Sequence, residues 1–417
     1  MAAMVAAHYP LLSFDTTDPA FVADPWARYR EIRELGGVVF NERINRWMVS
    51  EFDLVKQILS APSRFGSERG QVEHAAVFGG PTMEFYDGPH HDRIRSIWSG
   101  DFRPRTLARL RPVITEIVRA RLAPVAARLR DGETVEIVTE LTRGIPTEVI
   151  AHMLGVEPEM VDQFTAWSDA MGASAEGYSM PGAHGAELIA AGKHATAQLN
   201  SYIREQLPVR GCPAEGSWDL IGTMVAHEYA CEHMTEQEIV ASNTQLVFAG
   251  NETTAKLLAQ IVATLAIHPD QRRILQSDRS VALDAVEEVH RLETVSHSIF
   301  RDVVGDDVTL NIGGSAAVGD VAVADGERIT LLLGAANRDP RRWERPDDFD
   351  ITRRKLSHLG FAFGLHSCLG MNLARLEAQI FLEELIDTVG DWQLASPLDY
   401  GTNYTVRGPS RVLVAAA

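Results

Sequence analysis

The sequence predicts a mainly α-helical protein with a small, mostly antiparallel β-sheet region. Helical periodicity extends over most of the 417 residues; between residues 108 and 130, for example, apolar side chains recur every three or four positions. Strand-like runs are few and short, namely Arg46–Val49, Val321–Val323, Arg328–Leu333 and Arg411–Val414. No internal repeat or low-complexity linker is visible, and length alone leaves the number of domains open.

Three stretches are predicted to lie outside the regular elements. Residues 66–80 and 172–185 contain several glycines and are expected to form long loops. The segment Asn337–Arg354 is dense in Pro, Asp and Arg. We expect it to be ordered but irregular, with guanidinium groups that bind carboxylates or carbonyls.

Composition excludes several classes of protein. The 39 Lys and Arg residues against 57 Asp and Glu give a net charge of -18, which repels phosphate backbones and anionic lipids. The N-terminus has no signal-peptide pattern, no apolar run is long enough to span a bilayer, and three cysteines argue against a disulfide framework. We therefore expect a cytoplasmic protein with no nucleic-acid or membrane partner, although a local basic patch could still bind an acidic protein.

A lone cysteine lies between glycines directly before an amphipathic run. Phe361, Gly364, His366, Cys368 and Gly370 form the pattern FxxGxHxCxG. Cys368 is predicted at the start of a helix, where the helix dipole favours an anion and lowers the pKa of a thiol. The glycines leave space for a flat cofactor whose metal binds the sulfur. The alternative is a small buried residue at a helix cap, the commoner role of a single cysteine.

Polar residues interrupt a long apolar helical stretch from about Ile239 to Ile267. Its centre, residues 249–253, reads AGNET. Gly250 costs about 1 kcal/mol of helix stability relative to alanine. Thr253 can donate to a carbonyl one turn earlier, which would bend the helix and open a groove. A carboxyl such as that of Glu252 and a hydroxyl can together relay protons, whereas the alternative is a polar helix turn near solvent.

An acid and a base lie three residues apart in the run Glu288-Val-His-Arg291. This spacing places both on one helix face, and apolar neighbours indicate partial burial. Most pairs of this kind are weak surface contacts. A third partner would be either Arg338 or Arg353, between which the sequence does not choose.

A second pair with helical spacing lies near the front of the chain. His91 and Arg95 are one turn apart and therefore share a side of the predicted helix. They form either an exposed, charged first turn or part of a binding site for an anion.

With these motifs in this order, the sequence resembles the cytochrome P-450 family from about Asp24 to Gly408. The resemblance implies the cytochrome P-450 fold, one haem-thiolate monooxygenase domain over residues 1–417, and haem b as cofactor, with Cys368 as the metal ligand. The further cofactor contacts that it implies are His91, Arg95, Arg301 and His366 at the propionates, and Phe361, Gly364, Gly370, Ala249 and Gly250 around the ring.

The resemblance also implies roles in catalysis and in the structure. Glu252 and Thr253 would supply protons, and the Glu288 and Arg291 pair would lock its helix to the Arg-rich segment. One departure is Val295, where family members often have proline. It puts the local backbone facing the substrate in doubt.

The implied reaction is the insertion of one oxygen atom from dioxygen into a small or medium, largely apolar organic substrate, as a hydroxylation or an O-dealkylation. Only 49 residues follow Cys368, so we expect electrons from NAD(P)H to arrive through a separate ferredoxin and ferredoxin reductase. His366, Arg353, Arg354 and Arg375 are predicted to form the docking patch, and we expect a monomer.

By the same resemblance, five stretches are predicted to line the substrate pocket: Gln71–Met83, Met171–Met180, Leu246–Gly250, Val295–Ile299 and Asn403–Thr405. They combine apolar walls with one polar group that orientates the substrate, for which His74, His297, Ser298 and Asn403 are candidates. The individual pocket residues predicted are Phe78, Val247, Val295, Ser298 and Tyr404.

Three alternatives remain. A peroxygenase driven by hydrogen peroxide would need no electron donor, but a proton relay through Glu252 and Thr253 would then be superfluous. A haem-binding sensor or carrier without catalysis would normally come with an output module, which is not visible. A haem-free helical scaffold is the third, and the red-shifted Soret band of the reduced carbon monoxide complex would exclude it.

Overall fold

The computed structural model describes residues 9–70, 77–177, 182–310, 320–353 and 357–417. Helices account for most of this part of the chain. None of the described helices combines the length and the apolar character needed to cross a bilayer. In chain order they are α1 Pro19–Ala23, α2 Trp26–Glu34, α3 Phe52–Leu59, α4 Gly88–Ser99, α5 Pro104–Leu107, α6 Arg111–Arg130, α7 Gly144–Leu154, α8 Val161–Gly177, α9 Ala183–Gln206, α10 Leu220–Val225, α11 Glu228–His233, α12 Glu236–Ile267, α13 Pro269–Ser277, α14 Ala282–Glu293, α15 Leu333–Ala336 and α16 Met371–Thr388.

The strands form three small sheets. The largest has the order β1-β2-β3-β9-β6-β4, in which β1 pairs with β2 and β3 with β9 in parallel while the other pairs are antiparallel. Antiparallel sheets β10-β11-β5 and β7-β8 complete the set. The strands are β1 Leu11–Leu12, β2 Val38–Asn41, β3 Arg46–Val49, β4 Phe65–Gly66, β5 Val135–Glu136, β6 Ile299–Val303, β7 Val308–Leu310, β8 Val321–Val323, β9 Arg328–Leu331, β10 Trp392–Leu394 and β11 Leu413–Ala416.

The long helix α12 is the centre of the helical body. It begins with a capping box in which Thr235 and Glu238 satisfy each other's backbone N–H groups, and it then continues for 32 residues. Most of its residues are buried, and it packs against α7, α9, α14 and α16. Its buried residues are both apolar and polar, and the polar ones include Asn243, Gln245 and Gln260.

The fold class agrees with the prediction, but several boundaries differ. Strands Arg46–Val49 and Val321–Val323 lie as predicted. The run from Arg328 is a strand only as far as Leu331, and the C-terminal strand is Leu413–Ala416 instead of Arg411–Val414. The predicted loop at 172–185 was wrong, because α8 continues to Gly177 and α9 begins at Ala183.

The glycines that predicted this loop instead permit α8 and α9 to pack closely against each other. A Cβ at Gly192 of α9 would lie 2.2 Å from the Ser174 Cβ of α8. At Gly177 it would lie 2.8 Å from the Gly185 carbonyl oxygen. Residues 178–181 lie outside the described part of the chain, as do 71–76 of the other predicted loop.

The Arg-rich segment is irregular and ordered, as predicted. Arg341 pairs with Asp339 and Glu51, and Arg338 pairs with Glu293 and Asp347. These ion pairs, together with several backbone hydrogen bonds within the segment, hold it in place.

Candidate functional site

Cys368 lies in a tight turn that leads directly into α16. The backbone is left-handed at Ala362 and Gly364, with φ of 55° and 75°. The backbone N–H of Cys368 donates to the Phe361 carbonyl over 3.0 Å. Cys368 is deep in the molecule, yet its side chain is exposed. The sulfur therefore lies at the bottom of an open cleft.

The protonation of this thiol differs from the prediction. Burial raises the pKa of Cys368, although the Gly370 N–H and the Arg95 and Arg375 guanidinium groups act in the opposite direction. The predicted lowering by the helix start alone was wrong, because desolvation outweighs these donors and cations. A bound metal cation would overcome that cost, since a coordinating thiol loses its proton outright.

The two glycines of the motif have different roles. A Cβ at Gly364 would lie 2.4 Å from the Leu59 carbonyl oxygen, so this glycine is needed for the left-handed turn and for the close approach of α3. This corrects the expectation that Gly364 clears space for a cofactor. At Gly370 the nearest atom to a Cβ would be the Cys368 sulfur at 3.9 Å. Gly370 therefore leaves space beside the sulfur, as expected.

Four predicted propionate partners lie on the same side of the molecule. The rings of His91 and His366 are 4.6 Å apart between centroids, and His366 Nε2 is 2.8 Å from Asp87 Oδ1. Arg95, one turn after His91, interacts electrostatically with Cys368. Burial lowers the pKa of Arg301, while Asp87 and other carboxylates oppose the change. Because a buried guanidinium is costly without anions, these residues fit the two carboxylates of haem.

The centre of α12 has the predicted local geometry. Thr253 Oγ1 donates to the Ala249 carbonyl over 2.9 Å, which confirms the expected bond back along the helix. Ala249 is exposed although most of α12 is buried, so this turn also borders an open space. A Cβ at Gly250 would meet the Ile150 side chain of α7 at 3.4 Å, an ordinary van der Waals distance, so the packing of α7 does not require glycine here.

Glu252 has a partner that the sequence analysis missed. Lys256 Nζ lies 2.8 Å from Glu252 Oε1 and also donates to the Val406 carbonyl over 2.8 Å. The second carboxylate oxygen, Oε2, is buried without a hydrogen-bond partner among the described residues. The spacing of four residues could have revealed this pair from the sequence.

The acid–base pair of α14 is entirely buried and has a defined third partner. Arg291 donates to both carboxylate oxygens of Glu288 over 2.8 Å. Arg353 Nε lies 3.1 Å from Glu288 Oε1, whereas Arg338 binds Glu293. The open choice is therefore settled in favour of Arg353. Arg291 also donates to three carbonyls of the Arg-rich segment, which locks α14 to it.

The predicted docking cations are engaged inside the protein. Arg375 makes two bonds to Glu287, at 2.9 and 2.7 Å, and lies over the Phe361 ring at 4.8 Å. Arg353 binds Glu288, and His366 contacts Asp87. Arg354 lies outside the described residues. The three described members of the predicted patch are therefore each paired with a carboxylate of the protein.

Two other arginines are exposed close to the start of α16. Arg103 and Arg105 flank the first residue of α5, and neither has an ion-pair partner within the described ranges. The Asn372 side chain of α16 donates to the Phe102 carbonyl over 3.2 Å. This contact places both arginines near the Cys368 side of α16.

The predicted pocket residues fall into three groups. Phe78 packs edge-on against Phe248 of α12, with ring centroids 5.5 Å apart. Ser298 and Tyr404 are close to each other. Val247 and Val295 are buried in the core, and the Val295 carbonyl accepts the Arg407 N–H over 2.8 Å.

His297 is excluded as the polar group that orientates a substrate, and the hydrogen-bonded pair of Gln245 and Glu84 is a new candidate. His297 is completely buried and stacks on Tyr29, so it belongs to the core. His74 lies outside the described residues. Gln245 Nε2 donates to Glu84 Oε2 over 2.8 Å. Gln245 precedes Ala249 by one turn and lies on the same face of α12. This spacing of four residues could have identified Gln245 from the sequence.

Comparison with known proteins agrees with this geometry. The family model for cytochrome P450 matches residues 25–388. Cytochrome P450 107B1 of Saccharopolyspora erythraea is 31% identical over 413 residues, covering 95% of each chain. A vitamin D(3) 25-hydroxylase of Pseudonocardia autotrophica is 33% identical over 339 residues, covering 80% of this chain and 77% of that protein.

A solved structure shows the same fold. The structure of CYP109E1 from Bacillus megaterium in complex with corticosterone is 27% identical and superposes with a TM-score of 0.80. The match covers 95% of this chain and 99% of that one.

Proposed function

The chain belongs to the cytochrome P450 family of monooxygenases, whose cofactor is haem b, and we propose that it inserts one atom of dioxygen into a small or medium, largely apolar substrate by hydroxylation or O-dealkylation. Electrons come from NAD(P)H through a separate ferredoxin and its reductase. The observation that carries this proposal is the exposed Cys368 sulfur at the bottom of a deep cleft, with a glycine N–H and two guanidinium groups around it.

The residues present suit haem. Cys368 is the candidate iron ligand, and Gly370 supports it through its N–H and leaves space beside the sulfur. His91, Arg95, Arg301 and His366 are candidate partners for the propionates. When bound, thiolate-ligated haem activates dioxygen by pushing electron density towards it.

The protein's own part in the reaction includes the delivery of protons. Thr253 presents a hydroxyl whose hydrogen is held by the Ala249 carbonyl, so the orientation of its oxygen is fixed beside the exposed Ala249. Glu252, the adjacent carboxylate, is a candidate proton source for that hydroxyl. A relay of this kind favours the monooxygenase over the peroxygenase alternative.

The residues beside the cleft support an apolar substrate that carries one polar group. Phe248, which is partly buried next to Ala249 and packs on the buried Phe78 ring, is a candidate aromatic wall. Glu84, held by Gln245 on the same face of α12 as Ala249, provides a hydrogen-bond acceptor. An apolar molecule carrying one hydroxyl or other donor fits this combination. The vitamin D(3) hydroxylase and the corticosterone complex among the similar proteins support a compound of this size and polarity.

A docking face for an acidic ferredoxin is proposed around Arg103 and Arg105. Reversing both charges should slow reduction by ferredoxin, and the slowing should shrink as salt is added. Reversal of both Arg30 and Arg130, which are exposed and have no ion-pair partner within the described ranges, is the matched control. Equal reduction rates for the double variant and the control would remove this face from the proposal.

The decisive experiment compares the wild-type protein with Cys368→Ser. The wild type should show the red-shifted Soret band of its reduced carbon monoxide complex, and the variant should lose it, because an alcohol is a poor anionic ligand. A wild type without the band would overturn the proposal. Turnover of corticosterone with NADPH, ferredoxin and reductase, compared with hydrogen peroxide alone, separates the monooxygenase from the peroxygenase. If corticosterone binds, seen as a shift of the ferric Soret maximum, but is turned over under neither condition, a sensor or carrier would be favoured.

A further inference from the structure

A lysine holds the carboxylate of Glu252 from one side. Lys256 lies one helical turn after Glu252 and is nearly buried, with Nζ 2.8 Å from Oε1. Its ammonium also donates to the Val406 carbonyl. Its stem is fixed as well, because a Cβ at Gly408 would lie 2.6 Å from the Lys256 Cβ. The C-terminal segment and α12 together leave this lysine little freedom.

A small polar cavity also borders the carboxylate of Glu252. Its volume is about 40 Å³, and the residues around it include Arg143, Asp169, Asn251, Glu252, Lys256 and Ser410. A water molecule needs about 10–15 Å³ of such space, so the cavity holds about three or four.

Two polar atoms of α12 are directed to this cavity. Asn251 Oδ1 and Glu252 Oε2 are buried and have no protein partner in the described part of the chain. Gly172 of α8 also lines the cavity, and a Cβ at Gly172 would lie 4.0 Å from Glu252 Oε2. This contact shows that Oε2 is the oxygen on the cavity side. Buried oxygens of this kind are normally satisfied by water.

We propose that Lys256 is a positioning residue for proton delivery, and that protons reach Glu252 through this cavity from Asp169. Lys256 occupies Oε1 and so keeps Oε2 towards the cavity water. The inference rests on the proposed monooxygenase function. Each proton that leaves Glu252 is replaced by one that cavity water relays from Asp169, and Asp169 regains its proton from solvent, so no further reactant is needed.

The charges around Glu252 are consistent with this path. Lys256 lies on the same helix, Arg143 approaches from the start of α7, and Asp169 lies on α8. Burial raises the pKa of Asp169, whereas Arg143 and Arg121 act in the opposite direction. A carboxyl with a raised pKa holds a proton more readily near neutral pH and can pass it on.

The test compares Lys256→Met with Lys256→Arg in the haem-loaded protein. Methionine removes the charge and keeps most of the stem, and arginine restores the charge. Lys193→Met, at an exposed site on α9, is the matched control. Dioxygen is reduced with NADPH, ferredoxin and reductase and without organic substrate. The readouts are hydrogen peroxide formed per NADPH and the solvent isotope effect on NADPH oxidation.

An infrared measurement reports Glu252 independently of turnover. Without the ammonium group, a neutral carboxyl becomes more favourable. The ferric Lys256→Met protein should therefore show a carboxylic acid C=O band that is absent from the wild type and from Lys256→Met combined with Glu252→Gln.

The expected result is a several-fold rise in peroxide per NADPH and a larger solvent isotope effect in Lys256→Met, both reversed in Lys256→Arg. Wild-type values in Lys256→Met, together with its new infrared band, would overturn the proposal. A rise that Lys256→Arg does not reverse would also overturn it. Failure of the proposed function is distinguishable, because the carbon monoxide band would then be absent from the wild type itself.

Discussion

Replacing Glu377 by glutamine should stabilise the protein increasingly as the pH rises. Glu377 is buried within α16, its Oε2 has no partner among the described residues, and burial raises the pKa of its carboxyl from 4.5 to about 8. Below about pH 4.5 the carboxyl is neutral in both folded and unfolded chains, so it contributes no pH dependence. Between about pH 4.5 and about 8 only the unfolded chain releases the proton, which lowers the free energy of unfolding.

The size of the effect follows from this interval. Each pH unit costs about 1.4 kcal/mol, so the loss approaches about 5 kcal/mol near pH 8 and is constant above it. Glutamine has the same shape and no proton to lose. Glu377→Gln should therefore gain under about 1 kcal/mol relative to wild type at pH 5, and up to about 5 kcal/mol at pH 9.

Urea unfolding of the ferric protein, followed by circular dichroism at both pH values, measures this difference. Glu383→Gln is the matched control, because Glu383 lies on the same helix, is partly exposed and pairs with Arg111. A surface change of this kind should alter stability by less than about 0.5 kcal/mol. An equal gain for Glu377→Gln at pH 5 and pH 9 would refute the reasoning, since it would show that the folded protein does not hold a neutral carboxyl there.

Three further predictions use the same kind of comparison. Glu288→Leu should lower the free energy of unfolding, measured in urea, by about 3–5 kcal/mol, because it leaves the buried Arg291 guanidinium without its carboxylate. Arg345→Gln, in an exposed ion pair, should cost under about 1 kcal/mol. Equal losses in the two variants would contradict the argument from burial. Gly364→Ala should lower the midpoint of thermal unfolding much more than Gly370→Ala. Only Gly364 has a left-handed backbone, and only there would a Cβ lie as close as 2.4 Å to another atom. A larger loss in Gly370→Ala would refute this explanation. Thr253→Ala should raise peroxide per NADPH while Thr253→Ser should not, and unchanged peroxide would remove Thr253 from the relay.

Local spacing explains why much of the helical fold could be predicted. The run from Ile239 to Ile267 is apolar with helical periodicity, and α12 adds only one capping turn before it. Strands were harder, because their partners are distant in sequence. Trp47 pairs with Ile329, for example, and no short window contains both. Short strands buried by such pairs lack a distinctive local pattern.

The candidate site shows the same division between local and distant contacts. The Thr253 to Ala249 bond and the Glu288 to Arg291 pair depend on helical spacing and were predicted. The choice of Arg353 over Arg338 depends on the path of the Arg-rich segment, which has no periodicity to guide prediction. The prediction of a loop from Gly172 was wrong for a related reason. The sequence alone does not distinguish a glycine that permits close helix packing from one that permits a turn.

The charged residues around Arg375 stabilise the Cys368 turn, so a change at Arg375 cannot test partner docking alone. Arg375 binds Glu287, which lies 3.4 Å from His358, and the same guanidinium covers the Phe361 ring. Burial acts to raise the pKa of Glu287, but His358 and Arg375 outweigh it and lower the value to about 2, so the carboxylate remains charged at neutral pH. Reversing the charge at Arg375 would therefore place two negative charges together and disturb the Cys368 turn through Phe361. Slow reduction in that variant would report a damaged site. The exposed Arg103 and Arg105 avoid this ambiguity, because neither holds a carboxylate of the described chain, and only changes at such positions can measure partner binding.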